Sequence, residues 1–247
     1  MAAFLILGAT GSVGSGLARR LVNNDCDVFM AARDAERLQA LASGLGCPFA
    51  NVDASDPGTF TRCFEEAAST FGEIGGVANC IGSLLLKPAH TTTDDEFHAT
   101  INANLFSAFA TARAAGKTMK RNGGSVVLVS SAAARIGMPN HEAIAAAKSG
   151  IEGLTIAAAA SYASRGIRFN AVAPGLTKSQ MTRHLWENKT SAEASVRMHA
   201  LGRLGEPDDV AAMIRWLLSG ESSWITGQVF GVDGGLSSVL GRTKVSR

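Results

Sequence analysis

The chain has 247 residues, 46% of them hydrophobic, a mean hydropathy of +0.13 and a formal charge of +2 from 23 basic and 21 acidic side chains. That length and apolar content suffice for one α/β domain with a large core, and charges scattered without long runs exclude an electrostatic footprint for nucleic acid or an anionic membrane, which leaves a small-molecule site. Cys26, Cys47, Cys63 and Cys80 stand far apart, with no Cys-x-x-Cys pair and no histidine at metal-ligand spacing. This argues against a disulfide framework and against a metal site, and for a reducing cytoplasm.

Residues 3–7 read as a buried first strand, because the opening Met1 to Gly8 has no basic leader and its apolar run is too short for a signal peptide or a membrane span. Gly8-Ala-Thr10-Gly11-Ser12-Val13-Gly14 follows directly, and Leu17 to Val22 is helical. Strand, glycine turn and helix are what a dinucleotide requires: glycines let the backbone approach the pyrophosphate, and a helix N-terminus offers free N–H groups and a favourable dipole. The spacing is G-x-x-G-x-x-G rather than G-x-G-x-x-G, and a glycine turn at such a junction also occurs for packing alone. A second strand over 27–31 runs into Ala31-Ala32-Arg33-Asp34. A basic residue at the end of this strand accepts a ribose 2′-phosphate and an acidic one binds the 2′-OH, so Arg33 favours NADP over NAD. The rival readings are an exposed Arg33 at a helix start, or Asp34 on the ribose. Asp34 before an amphipathic run is also a good helix N-cap.

Further strands are expected at 47–52, 76–80, 124–130, 167–173 and 228–232, with helices over Asp34 to Ala42, Asp56 to Phe71, Asp94 to Lys120 and Glu142 to Ala163. Gly123-Gly124 and Gly166 end helices just before strands. Alternation of strand and helix predicts a parallel sheet covered on both faces, in a single domain over 1–247 without linker or repeat. Residues 176–202 form a stretch of mixed polarity between sheet and later helix, and 242–247 are a polar tail.

Several matches in chain order carry a resemblance. Besides the glycine turn they are Asp53 after the third strand, Asn79-Cys-Ile-Gly82, Asn104-Leu105, Ser131, Lys148, Pro174-Gly175, Ile225-Thr-Gly-Gln228 and Asp233-Gly-Gly235. Together they resemble the short-chain dehydrogenase/reductase family, in the size class of the 3-oxoacyl-acyl-carrier-protein reductases, across essentially the whole chain. The resemblance implies a three-layer, doubly wound Rossmann fold with a seven-stranded parallel sheet, and an NAD(P)-binding domain. It also implies roles. Gly8, Thr10, Gly11, Ser12, Val13, Gly14 and Gly82 would surround the cofactor, Asp53 would touch the adenine, and Asn79 would brace the sheet beside it. Pro174-Gly175 would line the nicotinamide, Thr177 and Ser179 would donate to its carboxamide or to the pyrophosphate, and Lys148 would bind the ribose. Asn104 would hold a proton-relay water and Ser131 would hydrogen-bond the substrate carbonyl. The family's common middle glycine falls on Ser12, with Gly11 one place early.

The largest departure is Ile144, which stands where the family has its proton-donating tyrosine, four residues before Lys148. The only tyrosine is Tyr162, eighteen residues on. Isoleucine has no exchangeable proton. Helical geometry nominates His141, three residues before Ile144 and seven before Lys148, as a substitute donor, because an imidazole titrates near neutral pH. An exposed loop histidine without a duty is the ordinary alternative, and a water held by Asn104, Lys148 and Ser131 is another. Lys148 also has a purely cofactor-binding role open to it, and Ser130-Ser131 a purely local one.

In the family the 176–202 region is a substrate lid; here Met181, Leu185 and Trp186 would supply an apolar inner face, and Leu84 to Pro88 the pocket mouth, compatible with an apolar or acyl-like substrate. The Ala- and Gly-rich helix from Glu142 packs either on the sheet or across a two-fold axis, and the resemblance implies a homodimer or homotetramer. Three functions stand open: an NADP-preferring oxidoreductase of carbonyls and alcohols with an altered proton donor, a non-catalytic dinucleotide-binding or scaffold subunit, and a lyase or isomerase without net redox change.

Overall fold

A computed structural model describes residues 3–119 and 123–240; the tail expected at 242–247 lies outside them. Seven strands, β1 (Ala3–Leu7), β2 (Val28–Ala32), β3 (Phe49–Asn51), β4 (Ile74–Asn79), β5 (Gly124–Val129), β6 (Ile167–Pro174) and β7 (Val229–Val232), form one sheet in the order β3-β2-β1-β4-β5-β6-β7. All pairings are parallel. Each expected strand is present, displaced at its ends by two residues or fewer.

Strand residues alternate between the two faces, and each face has its own core. Leu5, Leu7, Phe29, Ala31, Val126, Leu128, Phe169 and Ala171 pack under α3 (Pro57–Phe71), α5 (Ser107–Thr118) and α6 (Glu142–Tyr162). Ile6, Val28, Met30, Val127 and Val172 pack under α1 (Ser12–Val22), α2 (Ala35–Leu45) and α9 (Pro207–Leu218). The chain is thus a three-layer, doubly wound Rossmann fold. Helix ends follow from local chemistry: the Asp34 carboxylate accepts from the Arg37 amide at the start of α2, and Asp56 does the same for Gly58 at the start of α3.

The long helix expected over Asp94 to Lys120 is interrupted. α4 (Asp94–Ile101), opened by a Thr93/Glu96 capping box, passes into a π turn over Asn102–Phe106 before α5 begins. Helical periodicity alone does not register an extra residue in one turn, so this break was not readable from the sequence. The turn aims buried Asn104 toward the cleft beyond β4.

Among the described residues one stretch, Glu142–Arg165, has the length and composition to cross a membrane. Here Ala147, Ile151, Thr155, Ala158 and Ala159 of α6 are buried, Ile151, Ala158 and Ala159 within the sheet's core. Tyr162, at the end of α6, stacks on Phe169 with ring centroids 5.5 Å apart and faces Gly116, whose missing Cβ makes room for its ring. The only tyrosine is therefore a packing residue.

The strand order reverses between β1 and β4, and at such a switch point the crevice beyond the carboxyl ends of the strands is the ligand site of open α/β sheets. Gly8, Cys80, Ser131 and Gly175 follow the relevant strands there. After them come α7 (Arg183–Trp186) and α8 (Lys189–Met198), which occupy the stretch expected as a lid.

Candidate active site

The glycine turn is shaped for close backbone approach. Gly8 has φ of +78°, and a Cβ on it would meet the Cys80 carbonyl carbon at 2.8 Å. A Cβ on Gly14 would run into the Gly8 carbonyl. Gly11 is the N-cap of α1 and brings no side chain to it, so the first-turn amides of α1 face the cleft without a competing internal acceptor. Thr10, Gly11, Ser12, Val13 and Gly14 all line a cleft of about 300 Å³ that continues past Gly82 to Lys148, Pro174, Gly175 and Thr177.

The residues expected at the adenosine end divide. Arg33 is exposed and stands outside the cleft wall, whereas Arg37, in the first turn of α2, lines it and donates from Nη2 to the Thr10 carbonyl at 3.1 Å. Sequence reading missed Arg37, although its spacing from Asp34 already put it on the first turn. Asp53 also stands outside the cleft wall; its Oδ1 accepts from the Ser55 amide at 2.9 Å. Hydrogen bonds from Ser55, with the Arg33 charge as a smaller cause, hold its carboxyl below the usual range. Asn79 is a brace: Nδ2 donates to Thr111 Oγ1 at 3.0 Å and Oδ1 accepts from the Ile81 amide at 2.9 Å, tying β4 to α5.

Ser131, Ile144, Pro174 and Gly175 are common to the cleft and to a second, adjoining cavity of about 290 Å³. Ser131 Oγ accepts from the Ala133 amide at 3.2 Å, which leaves its own proton free. Ile144 is buried at that junction. Lys148, also buried, donates from Nζ to the Val129 carbonyl at 2.8 Å and lines the cleft but not the cavity. Burial pushes its ammonium down to about 8, against a smaller opposing influence of Cys80, whose own thiol burial pushes up to about 12. Asn104 is bonded on all sides: Nδ2 donates to the Thr100 carbonyl at 2.9 Å and to Ser83 Oγ at 3.0 Å, and Oδ1 accepts from the Ser83 amide at 3.3 Å. Gly82 lets Asn104 and Lys148 converge, since a Cβ there would lie 2.9 Å from Asn104 Oδ1 and 3.5 Å from Lys148 Nζ.

The cavity is apolar, walled by Leu84, Leu86, Met138, Ile144, Leu176, Leu185, Met198 and Leu236. Its lining contains no lysine, arginine, aspartate or glutamate. His141 is part of this wall rather than of the cleft, with Nδ1 2.7 Å from the Pro139 carbonyl. His199, which sequence reading missed, is buried between α8 and the end of β6. Its Nδ1 faces the Ser195 carbonyl at 2.6 Å and its Nε2 accepts from the Leu176 amide at 3.2 Å, so both nitrogens are engaged. No local motif marks it, because Leu176 and His199 meet only through the fold. Met181 and Thr177 reach the cleft and Leu185 the cavity, but Trp186 turns away and donates from Nε1 to the Ser179 carbonyl at 2.9 Å. The Gln180 amide reaches Ser12 Oγ at 3.3 Å, so this segment already spans the phosphate turn.

A glycine cradle that Cβ atoms would fill, open amides at α1, a cation at one end and Lys148 at the other fit an NAD(P) cofactor. The chain belongs to the short-chain dehydrogenase/reductase family of oxidoreductases: residues 8–237 match the family model described as enoyl-(acyl carrier protein) reductase. It is 33% identical over 240 residues to a tropinone reductase homolog of Arabidopsis thaliana, covering 94% of this chain and 91% of that one. A 3-oxoacyl-[acyl-carrier-protein] reductase of Thermotoga maritima is 33% identical over 243 residues, with 94% and 96% covered. Among solved structures, levodione reductase superposes with a TM-score of 0.91 at 27% identity over 97% of this chain and 98% of its own. A short-chain type dehydrogenase/reductase from Mycobacterium ulcerans gives 0.93 at 26%, with 97% and 91% covered. The family uses NAD(P) cofactors.

Proposed function

We propose that this protein is an NADP-preferring oxidoreductase that interconverts a carbonyl and an alcohol on a small apolar substrate, with a proton donor other than tyrosine. The observation that carries the reading is the junction at Ser131, Ile144, Pro174 and Gly175, where a dinucleotide-shaped cleft meets an apolar cavity. When bound, the nicotinamide supplies or takes hydride. Around it the chain's own groups have separable duties. Lys148 Nζ, fixed by the Val129 carbonyl, holds the ribose end, and Ser131 Oγ, with its proton free, hydrogen-bonds the substrate oxygen. Leu84, Leu185 and Met198 exclude water from the reacting carbon. Arg33 supplies positive charge beside the adenosine end, which supports NADP over NAD, and Arg37 braces the phosphate turn through the Thr10 carbonyl. The 176–202 segment serves as the lid, and the absence of a charged side chain from the cavity lining supports an uncharged, apolar or acyl-like substrate.

Assembly as a homodimer or homotetramer belongs to the same proposal. It is supported by the β7 edge, paired on one side only, and by exposed Phe109 and Ile156 on α5 and α6. So does a cytoplasmic location, supported by four free cysteines. The decisive experiment is NADPH oxidation against a panel of apolar ketones and aldehydes, after NADPH binding has been confirmed by fluorescence. Turnover supports the reading. Tight binding without turnover on any carbonyl or alcohol favours a non-catalytic dinucleotide-binding subunit, the reading that Ile144 and the internally bonded Asn104 support.

A further inference from the structure

We propose that Lys148 is itself the proton donor to the substrate oxygen, in addition to holding the cofactor. This rests on the oxidoreductase reading above and names the acid that the reading leaves open.

Elimination within the site leads there. The titratable or charged side chains lining the cleft are Arg37, Cys80 and Lys148. A guanidinium does not release its proton near neutral pH, and the buried Cys80 thiol sits too high to exchange one. In the adjoining cavity His199 has both ring nitrogens committed to main-chain groups, and His141 belongs to the cavity wall alone, outside the cleft, with Nδ1 on the Pro139 carbonyl. Glu152, one turn beyond Lys148 on α6, is tied to Ser130 and Arg135.

Geometry supports the same group. An ammonium has three donors, and the only bond of Lys148 Nζ to the described residues is the one to Val129, which anchors it and leaves two N–H bonds. It lines the cleft together with Ser131 and Ile144, which are among the residues shared with the cavity. An aliphatic side chain at 144, four residues earlier on the same helix face, interposes no other donor between Nζ and the junction. The step balances simply. As the carbonyl carbon accepts hydride from a dihydronicotinamide, the C=O π pair moves to oxygen, the oxygen takes a proton from Nζ, and the resulting neutral amine regains one from water. In the oxidation direction the neutral amine is the base.

The test combines a titration that needs no cofactor with kinetics of the loaded protein. Lysines carrying ¹³C at Cε are followed by NMR against pH, the Lys148 resonance being the one missing in Lys148→Arg. The expected midpoint is about 8, well below the ~10.4 of ordinary lysines. For reduction, kcat should be flat below the midpoint that the same resonance shows with NADP bound and fall about tenfold per pH unit above it, because kcat reports ionisation in the bound complex. Lys148→Arg keeps charge and donors but cannot give up a proton. It should hold NADPH within about threefold and lose at least ~100-fold in kcat, and Ile144→Tyr added to it should restore turnover. A midpoint near 10 in the free protein, a kcat break away from the cofactor-bound NMR midpoint, or turnover that survives Lys148→Arg overturns the proposal. If the arginine disturbs folding, the coincidence of cofactor-bound NMR midpoint and kcat break in the unsubstituted protein still decides. Absence of any turnover by that protein overturns the oxidoreductase reading and this proposal with it, whereas turnover insensitive to Lys148 overturns this proposal alone.

Discussion

At the scale of single residues, the site is defined by what Ile144 lacks. A well-placed general acid contributes about 10²–10⁴-fold, so an oxidoreductase with a weaker donor is slow rather than inert. Ile144→Tyr is expected to raise kcat for carbonyl reduction by ~10-fold or more while leaving NADPH affinity unchanged, as steady-state kinetics and fluorescence titration will read out. No gain would mean that the junction no longer admits the ring. The two arginines make a second, separable expectation. Arg33 is exposed and free of the cleft wall, so Arg33→Ala should weaken NADP by about 1.4 kcal/mol, tenfold, with little effect on NAD. Arg37 braces the Thr10 carbonyl of the phosphate turn, so Arg37→Ala should weaken both cofactors alike. Equal losses from Arg33→Ala would refute its 2′-phosphate role.

At the scale of elements, two glycines hold the architecture together by what they omit. Gly14→Ala sets a Cβ against the Gly8 carbonyl, backbone against backbone, where nothing soft can yield. NADPH binding should fall well below detection in a titration that the unsubstituted protein completes, with loss of roughly 1–3 kcal/mol of stability. Gly116 plays the corresponding part between α5 and α6, where the Tyr162 ring is pinned by Phe169 and by Arg165, whose Nη1 also donates to the Gly116 carbonyl at 3.0 Å. Gly116→Ala should cost about 1–3 kcal/mol in denaturant unfolding without changing cofactor affinity, because the contact lies far from the cleft. At the start of α4, the Thr93 cap is expected to contribute about 1 kcal/mol, lost in Thr93→Ala.

At the scale of the whole molecule, the buried lysine links stability to pH. Its folded value of about 8 lies below the ordinary 10.5, so between these limits the unfolded chain binds more protons than the native one and stability rises with pH. Cys63 and Cys80, both pushed up to about 12, act in the opposite sense once unfolded thiols begin to ionise near pH 9. The thiol and lysine windows overlap, so the lysine effect is isolated by subtraction of a variant that keeps both cysteines. Between about pH 8 and 9 the unsubstituted protein should gain about 1 kcal/mol relative to Lys148→Met, measured as the difference in urea unfolding free energy at the two pH values. A constant difference would mean that Lys148 is hydrated in the folded state.

Much of this protein is written locally. Alternating apolar runs and helical stretches determine the seven strands and the three layers, because period and burial follow from neighbours in the chain, and Gly8 to Gly14 determine a phosphate turn because only glycine permits that backbone. The position of Ile144, four residues before Lys148 where the resemblance leads one to expect tyrosine, was equally legible as a matter of spacing. Tertiary structure alone decided the rest. It put His141, the residue that caps α6, in the cavity and Lys148, two turns into that helix, in the cleft, because the junction between the two spaces runs past Ile144. It brought Arg37 to the cleft wall while leaving Arg33 exposed beside it, broke the helix at Asn104, and buried His199 against Leu176. These outcomes depend on which distant elements the sheet order brings together and how much water they exclude, and no stretch of sequence carries that information by itself.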